Sequence, residues 1–579
     1  MKLSKCTIAI TAGLALFASV PAATVAASPV EQPNVVLILT DDMGYSDLSC
    51  FGGEIPTPNI CELAENGSKL VDYYTNPMSA PTRSMLMTGV DNHKAGLGNM
   101  PPLMSANQLG QPGYEGILNN RVATVAEMLK EGGYSTYMAG KWHLGATPQS
   151  SPLGRGFTHS FAFTGGGISH FGDQLPLNPF EAPFFFYMED GKRVDTLPAD
   201  FYSTDFYTDQ VVKYIGDTAT DKPFFTYLAY TAPHDPLHAP DEWIAKFDDG
   251  RYDVGYDVIR KRRLENVKKL GLVAEDTPDV VNNKDYKPWD MLSEKEQKRS
   301  AKKMAIYAAM IANLDHNIGR LVQHLKDIGE YENTRFIYTH DNGTNPKPGS
   351  NYTGNVPKFF EQFDNSLENM GRPNSYVSYE AGWAEAGTTP FSFYKTTSGQ
   401  GGVRVPLIIS GSDIAVKGEF VESGNIHVTD ITPTILDWAN IEKPKTRNGV
   451  KLHEFSGRTL VPFLTGKEKQ VRSEDEYIAI ELNDYKLVIK GDYKLRAMSA
   501  AHIRTEGRDW KLFNIANDPA EQTDIAEKEP EKLAELVALY NEYATEVGIV
   551  DKDLAYPTMY HRQTWTIREG RLTENPDKK

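Results

Sequence analysis

Apolar runs and polar interruptions alternate along the chain in the manner of an α/β protein. Residues 34–39 form a nearly unbroken apolar run rich in β-branched side chains, which predicts a strand buried on both faces. Residues 122–132 and 209–215 have helical spacing, and each precedes a strand-like segment, residues 134–138 and 224–230. This alternation predicts a large mixed, mostly parallel sheet sandwiched by helices.

A long helix is predicted over residues 304–328. Its apolar stripe comprises Tyr307, Met310, Ile311, Leu314, Ile318, Leu321, Leu325 and Ile328. The strand that follows, residues 336–339, runs into Asp341-Asn342-Gly343, just as the first strand runs into Asp41-Asp42. Because ligands of parallel sheets bind beyond the carboxyl ends of the strands, we expect both acidic pairs at one edge of the sheet.

The sequence changes character at about residue 470. Residues 476–481 and 485–495 predict short antiparallel strands, and residues 530–547 predict an amphipathic helix. We therefore predict a catalytic α/β domain over residues 28–469 and a smaller C-terminal α+β domain over residues 470–579.

Two stretches of the predicted catalytic domain interrupt the α/β pattern. Residues 250–303 are charged and polar and predict an insertion that is mostly solvated. Residues 344–390 are rich in Asn, Gly and Tyr and predict a long loop that lines the site.

The acidic balance of the chain narrows its possible partners. Sixty Lys and Arg stand against 77 Asp and Glu, for a formal net charge of −17. This charge argues against nucleic acids and anionic membranes as partners. It suits an acidic metal site, whereas an anionic substrate would need a local cationic pocket.

The N-terminus has the features of a secretory signal over residues 1–27. Lys2 and Lys5 precede an apolar stretch over residues 8–20, and Val25-Ala26-Ala27 offers a cleavage site. A membrane anchor is the alternative, but the apolar run is too short and too rich in Ala and Gly to favour it. We expect a periplasmic or secreted protein without membrane insertion after cleavage. Cys50 and Cys61 remain in it, and the sequence leaves open whether they form a disulfide.

Residues 78–89 predict a helix that presents a hydroxyl at its N-terminus. Pro81 suits the start of this helix and Gly89 its end. Ser79 would lie where helix N–H groups favour anions, with Arg83 one turn along. When this segment is taken alone, an ordinary capped helix is the better explanation for it.

The segment Ser79-x-Pro81-x-Arg83, followed by Thr88-Gly89, resembles the signature of the formylglycine sulfatases in its serine form. The resemblance covers about residues 33–545 and is greatest to the bacterial arylsulfatase branch. Further motifs that carry it are Asp41-Asp42, Gly140-Lys141-Trp142-His143-Leu144-Gly145, Pro233-His234-Asp235-Pro236, Asp341-Asn342-Gly343, Lys395 six residues before Gly401-Gly402-Val403-Arg404, Trp510-Lys511-Leu512-Phe513-Asn514 and Asn517-Asp518-Pro519-Ala520-Glu521.

The resemblance implies a fold like that of alkaline phosphatase, one calcium ion and a protein-derived cofactor. In the family the residue at position 79 is oxidised to formylglycine (3-oxoalanine) by a maturase before export. The metal ligands implied for this chain are Asp41, Asp42, Ser79, Asp341 and Asn342, a set of hard oxygen donors that suits calcium.

The resemblance also implies catalytic roles in the hydrolysis of a sulfate ester. Arg83 and Lys141 would hold the formylglycine, and Lys395 and His234 would bind the sulfate. His234 or Lys395 would protonate the leaving oxygen. Asp341 would accept the proton of the attacking hydroxyl, and His143 that of the second hydroxyl.

Three other functions remain open beside an aryl sulfatase. A carbohydrate sulfatase would use the same catalytic motifs, because loops such as residues 344–390 would select the leaving group. A phosphomonoesterase or phosphodiesterase would use an unmodified Ser or Thr and usually two metals, and no second metal cluster is apparent. A non-catalytic calcium-binding protein would not need Lys141, His143, His234 and Lys395 together.

Overall fold

The computed structural model describes residues 32–177, 185–217, 222–280, 286–348, 357–498 and 509–552, and the backbone of residues 565–568 and 571–574. The predicted signal segment lies outside the described residues.

Strands and α-helices are numbered here in chain order. The strands are β1 (Asn34–Thr40), β2 (Gly67–Leu70), β3 (Tyr73–Tyr74), β4 (Ser135–Lys141), β5 (His159–Phe163), β6 (Tyr187–Glu189), β7 (Lys192–Val194), β8 (Phe224–Ala229), β9 (Thr334–His340), β10 (Leu407–Ser410), β11 (Phe420–Val421), β12 (Ile426–His427), β13 (Thr446–Arg447), β14 (Val450–Lys451), β15 (Tyr477–Leu482), β16 (Tyr485–Lys490), β17 (Tyr493–Ala497), β18 (Lys511–Asn514), β19 (Trp565–Arg568) and β20 (Arg571–Glu574). The helices are α1 (Pro58–Glu65), α2 (Ser79–Thr88), α3 (Asn92–Ala95), α4 (Val125–Glu131), α5 (Ser203–Gly216), α6 (Asp241–Ile244), α7 (Tyr256–Lys269), α8 (Glu294–Asp327), α9 (Pro357–Phe360), α10 (Glu380–Thr388), α11 (Gln400–Val403), α12 (Ile431–Trp438), α13 (Val461–Leu464) and α14 (Pro530–Val547).

A ten-stranded sheet with the order β11-β2-β10-β9-β1-β8-β4-β5-β6-β7 organises the molecule. The five central strands from β9 to β5 are all parallel, and the outer ladders of β10 and β6 are antiparallel. Strand β1 lies between β9 and β8, with Thr40 opposite His340 and Leu39 opposite Ala229. The predicted mixed, mostly parallel sheet is therefore confirmed.

Helices cover both faces of this sheet because the side chains of β1 alternate between two cores. Val36 and Ile38 pack on the side of α8 and α5, whereas Val35, Leu37 and Leu39 pack on the side of α2, α4 and α12. All five side chains are fully buried, as expected for a strand of a sheet covered on both faces.

The region that we expected to be a solvated insertion differs from the prediction. Helix α8 begins at Glu294 rather than at residue 304, because Ser293 and Glu296 form a capping box there. The same region contains α7, whose Arg260 and Arg263 are buried. Its charges are therefore partly internal, since buried partners compensate them.

A four-stranded antiparallel sheet, β15-β16-β17-β18, forms the C-terminal subdomain. One face packs against α14 through Leu536, Tyr540 and Tyr543. The other face packs against Tyr74 and Val403 of the catalytic body. The small C-terminal α+β unit is as predicted, while the domain boundaries at residues 28 and 470 stay predictions.

Two further features bear on the predictions about the cysteines and about membrane insertion. Cys50 and Cys61 form a disulfide with a Cα–Cα distance of 5.6 Å. Within the described ranges, no helix combines the length and the apolar character needed to cross a bilayer.

Candidate active site

Four oxygen-bearing side chains meet at the carboxyl edge of the central sheet. Asp41 and Asp42 follow β1, and Asp341 and Asn342 follow the neighbouring β9. Asn342 Nδ2 donates to Asp42 Oδ1 at 2.7 Å, and the Asp42 N–H donates to Asp341 Oδ1 at 3.3 Å. The parallel register of the two strands thus brings both predicted acidic pairs together in a buried cluster.

This cluster suits a divalent cation. Asp41, Asp42 and His234 each offer a ligand atom within 4.8 Å of the others. Asp42 Oδ2 is buried and accepts no hydrogen bond from the described residues, so a cation there would satisfy it. Asp42 also has a φ of 66°, a left-handed conformation that points to a functional constraint.

Ser79 lies at the N-terminus of α2 and faces the acidic cluster. Its Oγ donates to Asp341 Oδ2 at 2.5 Å and lies 3.1 Å from Asp41 Oδ1. The helix begins at Ser79, two residues before the predicted start at Pro81, because the first turn of a helix tolerates a proline. It ends at Gly89 with a φ of 67°, as predicted.

Arg83 lies one turn along α2 from Ser79 and binds the same carboxylate. Its Nη2 is 2.9 Å from Asp341 Oδ2, and its Nη1 donates to the carbonyl of Lys141 at 2.9 Å. The guanidinium therefore links helix α2 to the carboxyl ends of β9 and β4.

Asp41 and Asp42 each form an ion pair with a different lysine. Lys141 Nζ lies 2.5 Å from Asp41 Oδ2 and 3.2 Å from Ser79 Oγ, and Lys395 Nζ lies 2.5 Å from Asp42 Oδ1. Burial alone would raise the pKa of Asp41 and Asp42, but the charges of Lys141 beside Asp41 and of Lys395 beside Asp42 hold it below its usual value. Both carboxylates are therefore charged and ready to bind a cation.

Two histidines border the cluster as neutral imidazoles. Burial, followed by the charges of Lys141, Arg83 and Lys395, holds the pKa of His143 well below its usual value. Its Nδ1 is buried and has no hydrogen-bond partner among the described residues, so it can accept a proton.

His234 lies on the other side of the cluster, after β8. Its Nε2 is 3.5 Å from Asp42 Oδ2, and its Nδ1 is 2.7 Å from the carbonyl of Asp235, which assigns the ring proton to Nδ1. Burial lowers the pKa of His234 to about 4.

The glycine run after β5 leaves room for both imidazoles. A Cβ at Gly166 would lie 3.2 Å from His143 Cε1, and a Cβ at Gly167 would lie 2.9 Å from His234 Cε1. Sequence reasoning did not identify this run, although three successive glycines at a strand end indicate a close approach.

A buried network that supports the residues after β1 was also missed. Arg263 Nη1 donates to Asp47 Oδ1 at 2.6 Å and its Nε to Glu54 Oε2 at 2.7 Å. Tyr307 donates to Asp47 Oδ2 at 2.7 Å and lies 3.2 Å from the carbonyl of Asp42. The available signal was the position of Arg263 one turn from Ile259 and Val267, on the apolar side of α7.

A family model described as Sulfatase matches residues 33–441 of the chain. The chain belongs to the sulfatase family, and it is an enzyme that hydrolyses sulfate esters. The resemblance stated from its motifs is therefore confirmed.

Individual relatives support the same family. The chain is 45% identical to an arylsulfatase of Klebsiella aerogenes over 449 residues, which cover 77% of this chain and 95% of that protein. It is 24% identical to an N-acetylglucosamine-6-O-sulfatase of Bacteroides thetaiotaomicron over 567 residues, covering 88% and 86%. A solved structure of Ps i-CgsB in complex with k-i-k-neocarrahexaose is similar in fold, with a TM-score of 0.63 at 24% identity, covering 89% and 93%.

Proposed function

We propose that the protein cleaves aryl sulfate monoesters through a formylglycine made from Ser79 and one calcium ion. The observation that carries this proposal is the setting of the Ser79 hydroxyl, 2.5 Å from Asp341 Oδ2. Its hydrogen-bond partners within the described residues include no histidine. The hydroxyl lies among carboxylates and the amine of Lys141 rather than beside a histidine base, and this setting supports a modified residue held among metal ligands.

The calcium ion would be held by oxygen ligands alone. These ligands are Asp41, Asp42, Asp341, Asn342 and the side chain at position 79. Carboxylate and amide oxygens are the donors that calcium prefers. Bound calcium would supply a Lewis acid that polarises the sulfuryl group and offsets its negative charge.

The basic side chains around the cluster, apart from His143, divide into two pairs. Arg83 and Lys141 orient the residue at position 79, since both reach the carboxylates that contact it. Lys395 and His234 face the other side of Asp42 and bind the sulfate group. One of these two side chains protonates the leaving oxygen.

Two proton acceptors complete the proposed mechanism. Oxidation of Ser79 would supply a hydrated aldehyde, which provides a nucleophile for sulfur and a second hydroxyl for the release of sulfate. Asp341 would accept the proton of the first hydroxyl, because its Oδ2 already accepts from Ser79 Oγ. His143 would accept the proton of the second, because its buried Nδ1 is neutral and has no hydrogen-bond partner among the described residues.

Aryl sulfates are proposed as substrates because the arylsulfatase of Klebsiella aerogenes is 45% identical over most of the chain. The alternative is a carbohydrate sulfate. It is supported by the 24% identical N-acetylglucosamine-6-O-sulfatase, which matches 88% of the chain. Comparing kcat/KM for 4-nitrophenyl sulfate and for a 6-O-sulfated amino sugar distinguishes the two.

The proposal includes a maturase and export. A formylglycine-generating maturase would oxidise Ser79 before the chain folds, because Ser79 is only 3% exposed in the folded protein. The predicted signal over residues 1–27 would then direct the protein to the periplasm or outside the cell.

Mass spectrometry of the peptide that contains Ser79 tests the cofactor directly. In active protein from its native host, we expect this peptide to be lighter by two hydrogens, as for an aldehyde in place of a hydroxymethyl group. An unmodified Ser79 in fully active protein would contradict the proposal.

A matched pair of serine variants tests the role of position 79. Ser79→Ala is expected to abolish hydrolysis of 4-nitrophenyl sulfate while preserving the fold by circular dichroism. Ser84→Ala in the same helix is the control, because Ser84 is equally buried but donates only to the carbonyl of Pro81. Retained turnover in Ser79→Ala would reject the assignment.

A further inference from the structure

A buried carboxylate of the C-terminal subdomain faces the loop that carries Lys395. We call residues 392–402 the lysine loop. The Glu521 side chain is fully buried, and its Oε2 accepts from the Gln400 backbone N–H at 2.6 Å. Its Oε1 lies 3.1 Å from Lys494 Nζ and 2.9 Å from Arg496 Nε, both on β17. One acid therefore joins the C-terminal sheet to the lysine loop.

Other contacts from the same subdomain reach the loop on both sides of Lys395. Ser398 Oγ donates to the carbonyl of Ala497 at 3.0 Å, and Gln522 Nε2 donates to Ser392 Oγ at 2.9 Å. The guanidinium of Arg496 lies 4.9 Å from the centre of the Phe393 ring. Arg496, Ala497 and Gln522 of the C-terminal subdomain therefore contact the lysine loop on both sides of Lys395.

The lysine loop needs such support because its backbone is strained around Lys395. Phe393 and Thr396 have φ angles of 67° and 72°, in the left-handed region that such residues rarely adopt. Strained conformations of this kind persist only where surrounding contacts determine them.

The opposite side of the lysine loop contacts the residues that follow β9. The Lys395 N–H donates to the carbonyl of Thr344 at 2.9 Å, and the Gly343 N–H donates to the carbonyl of Gly402 at 3.2 Å. A Cβ at Gly343 would lie 1.8 Å from the carbonyl oxygen of Gly401, so the two backbones touch. A shift of the lysine loop would therefore move Lys395 relative to Asp42.

We propose that Glu521 is a positioning residue for the sulfatase reaction. Through Gln400 it fixes the lysine loop, so that Lys395 Nζ stays beside Asp42 and reaches the sulfate group. The inference rests on the sulfate-binding role given to Lys395 in the proposed function. It makes the C-terminal subdomain part of the apparatus that sets substrate affinity.

The test compares Glu521→Gln with Lys395→Ala in the full-length, matured enzyme. Gln keeps the size of the side chain but removes the negative charge that pairs with Lys494 and Arg496. Because misplacement of a binding group by about 1 Å can cost up to about 10²-fold, we expect KM for 4-nitrophenyl sulfate to rise roughly 10-fold. Inhibition by inorganic sulfate should weaken in parallel. Adding Glu521→Gln to Lys395→Ala should weaken it little further.

Glu481→Gln is the matched control, because it also removes a buried charge from the C-terminal sheet. Glu481 pairs with His93 Nε2 at 2.8 Å and makes no hydrogen bond or ion pair with the lysine loop among the described residues. We expect this control to lower the melting temperature and to leave KM and sulfate inhibition unchanged. Glu521→Asp, which keeps the charge, should recover part of the loss.

The outcomes separate this inference from the function on which it rests. If Glu521→Gln lowers only the melting temperature, as the control does, Glu521 is structural and the inference is wrong. If Lys395→Ala itself leaves KM and sulfate inhibition unchanged, the role of Lys395 is wrong instead. Should Glu521→Gln not fold, Ser398→Ala replaces it, with an expected weakening of sulfate inhibition of about 2- to 5-fold. Unchanged inhibition in that variant overturns the inference.

Discussion

At the scale of single residues, contacts with opposite charges allow a buried site to hold the three carboxylates of Asp41, Asp42 and Asp341. Asp41 and Asp42 are buried side by side, and each lies 2.5 Å from a different lysine. An unpaired buried charge is costly, so these pairs keep both carboxylates ionised. The same lysines repel a proton from His143, whose pKa is well below its usual value chiefly because of burial. A single arrangement thus provides the proposed metal ligands, the proposed sulfate ligands and the proposed neutral base.

The proposed base His143 should affect turnover rather than affinity. His143→Gln removes the proton acceptor, and general base catalysis contributes roughly 10²–10⁴-fold. We expect kcat for 4-nitrophenyl sulfate to fall by that factor with KM nearly unchanged. His159→Gln is the control, since the side chain of His159 is 49% exposed on β5. A variant with raised KM and normal kcat would assign His143 to binding.

At the scale of elements, the sequence predicted those helix and strand ends that depend on neighbouring residues along the chain. Helix α14 spans Pro530–Val547, as predicted, because Pro530 begins it and Gly548 ends it in the left-handed conformation. The strand ends at Asp41 and Asp341 were predicted from apolar runs. The internal charges of α7 were not, because composition does not reveal which charged residues find buried partners.

The buried arginine of α7 should stabilise the segment that follows β1. Arg263→Met leaves Asp47 and Glu54 without their cation. Breaking a buried ion pair by removing one partner costs about 3–5 kcal/mol, which we expect as the loss in unfolding free energy in urea. The exposed neighbour Arg262 provides the control, and Arg262→Met should change stability by less than about 0.5 kcal/mol. Equal effects of the two variants would contradict an internal role for Arg263.

At the scale of the whole molecule, the net charge of −17 hides a local cationic site. Arg83, Lys141 and Lys395 gather at the sheet edge together with the N-terminus of α2. Strand β4 ends at Lys141 and leads to His143, and β8 leads to His234, whereas α2 carries Arg83 and the lysine loop carries Lys395. The sequence motifs identified the residues of this site, but only the sheet order explains their proximity.

Removal of calcium should destabilise the folded protein as a whole. A ligand present at 100 times its Kd stabilises by about 2.7 kcal/mol. For protein held at a calcium concentration 100 times the Kd, we therefore expect EGTA to lower the free energy of unfolding by about 2.7 kcal/mol. Calcium should restore it at lower concentration than magnesium, which demands a stricter octahedral geometry. The free energy of unfolding of Asp42→Asn should change little when either ion is added. If calcium stabilises this variant as much as the wild type, Asp42 is not a ligand.

A buried histidine joins the C-terminal subdomain to the catalytic body. His93 Nδ1 lies 3.0 Å from Asp91 Oδ1, and its Nε2 lies 2.8 Å from Glu481 Oε2 of β15. Tyr543 of α14 donates to Asp91 Oδ2 at 2.9 Å. Burial alone would lower the pKa of His93, but hydrogen bonds and charges of Asp91 and Glu481 raise it to about 9.

This histidine should make the stability of the molecule depend on alkaline pH. Because its pKa is higher in the folded state than the unfolded value of about 6.5, its contribution is complete below pH 6.5 and is lost as the pH rises through about 9. We expect His93→Gln to be less stable than the wild type at pH 7, with the gap narrowing towards pH 10 in urea unfolding. Lys494 has a lowered pKa of about 8 and the opposite pH dependence, but it is common to both proteins and cancels in their difference. A gap that stays constant from pH 7 to pH 10 would show that His93 is neutral in the folded protein.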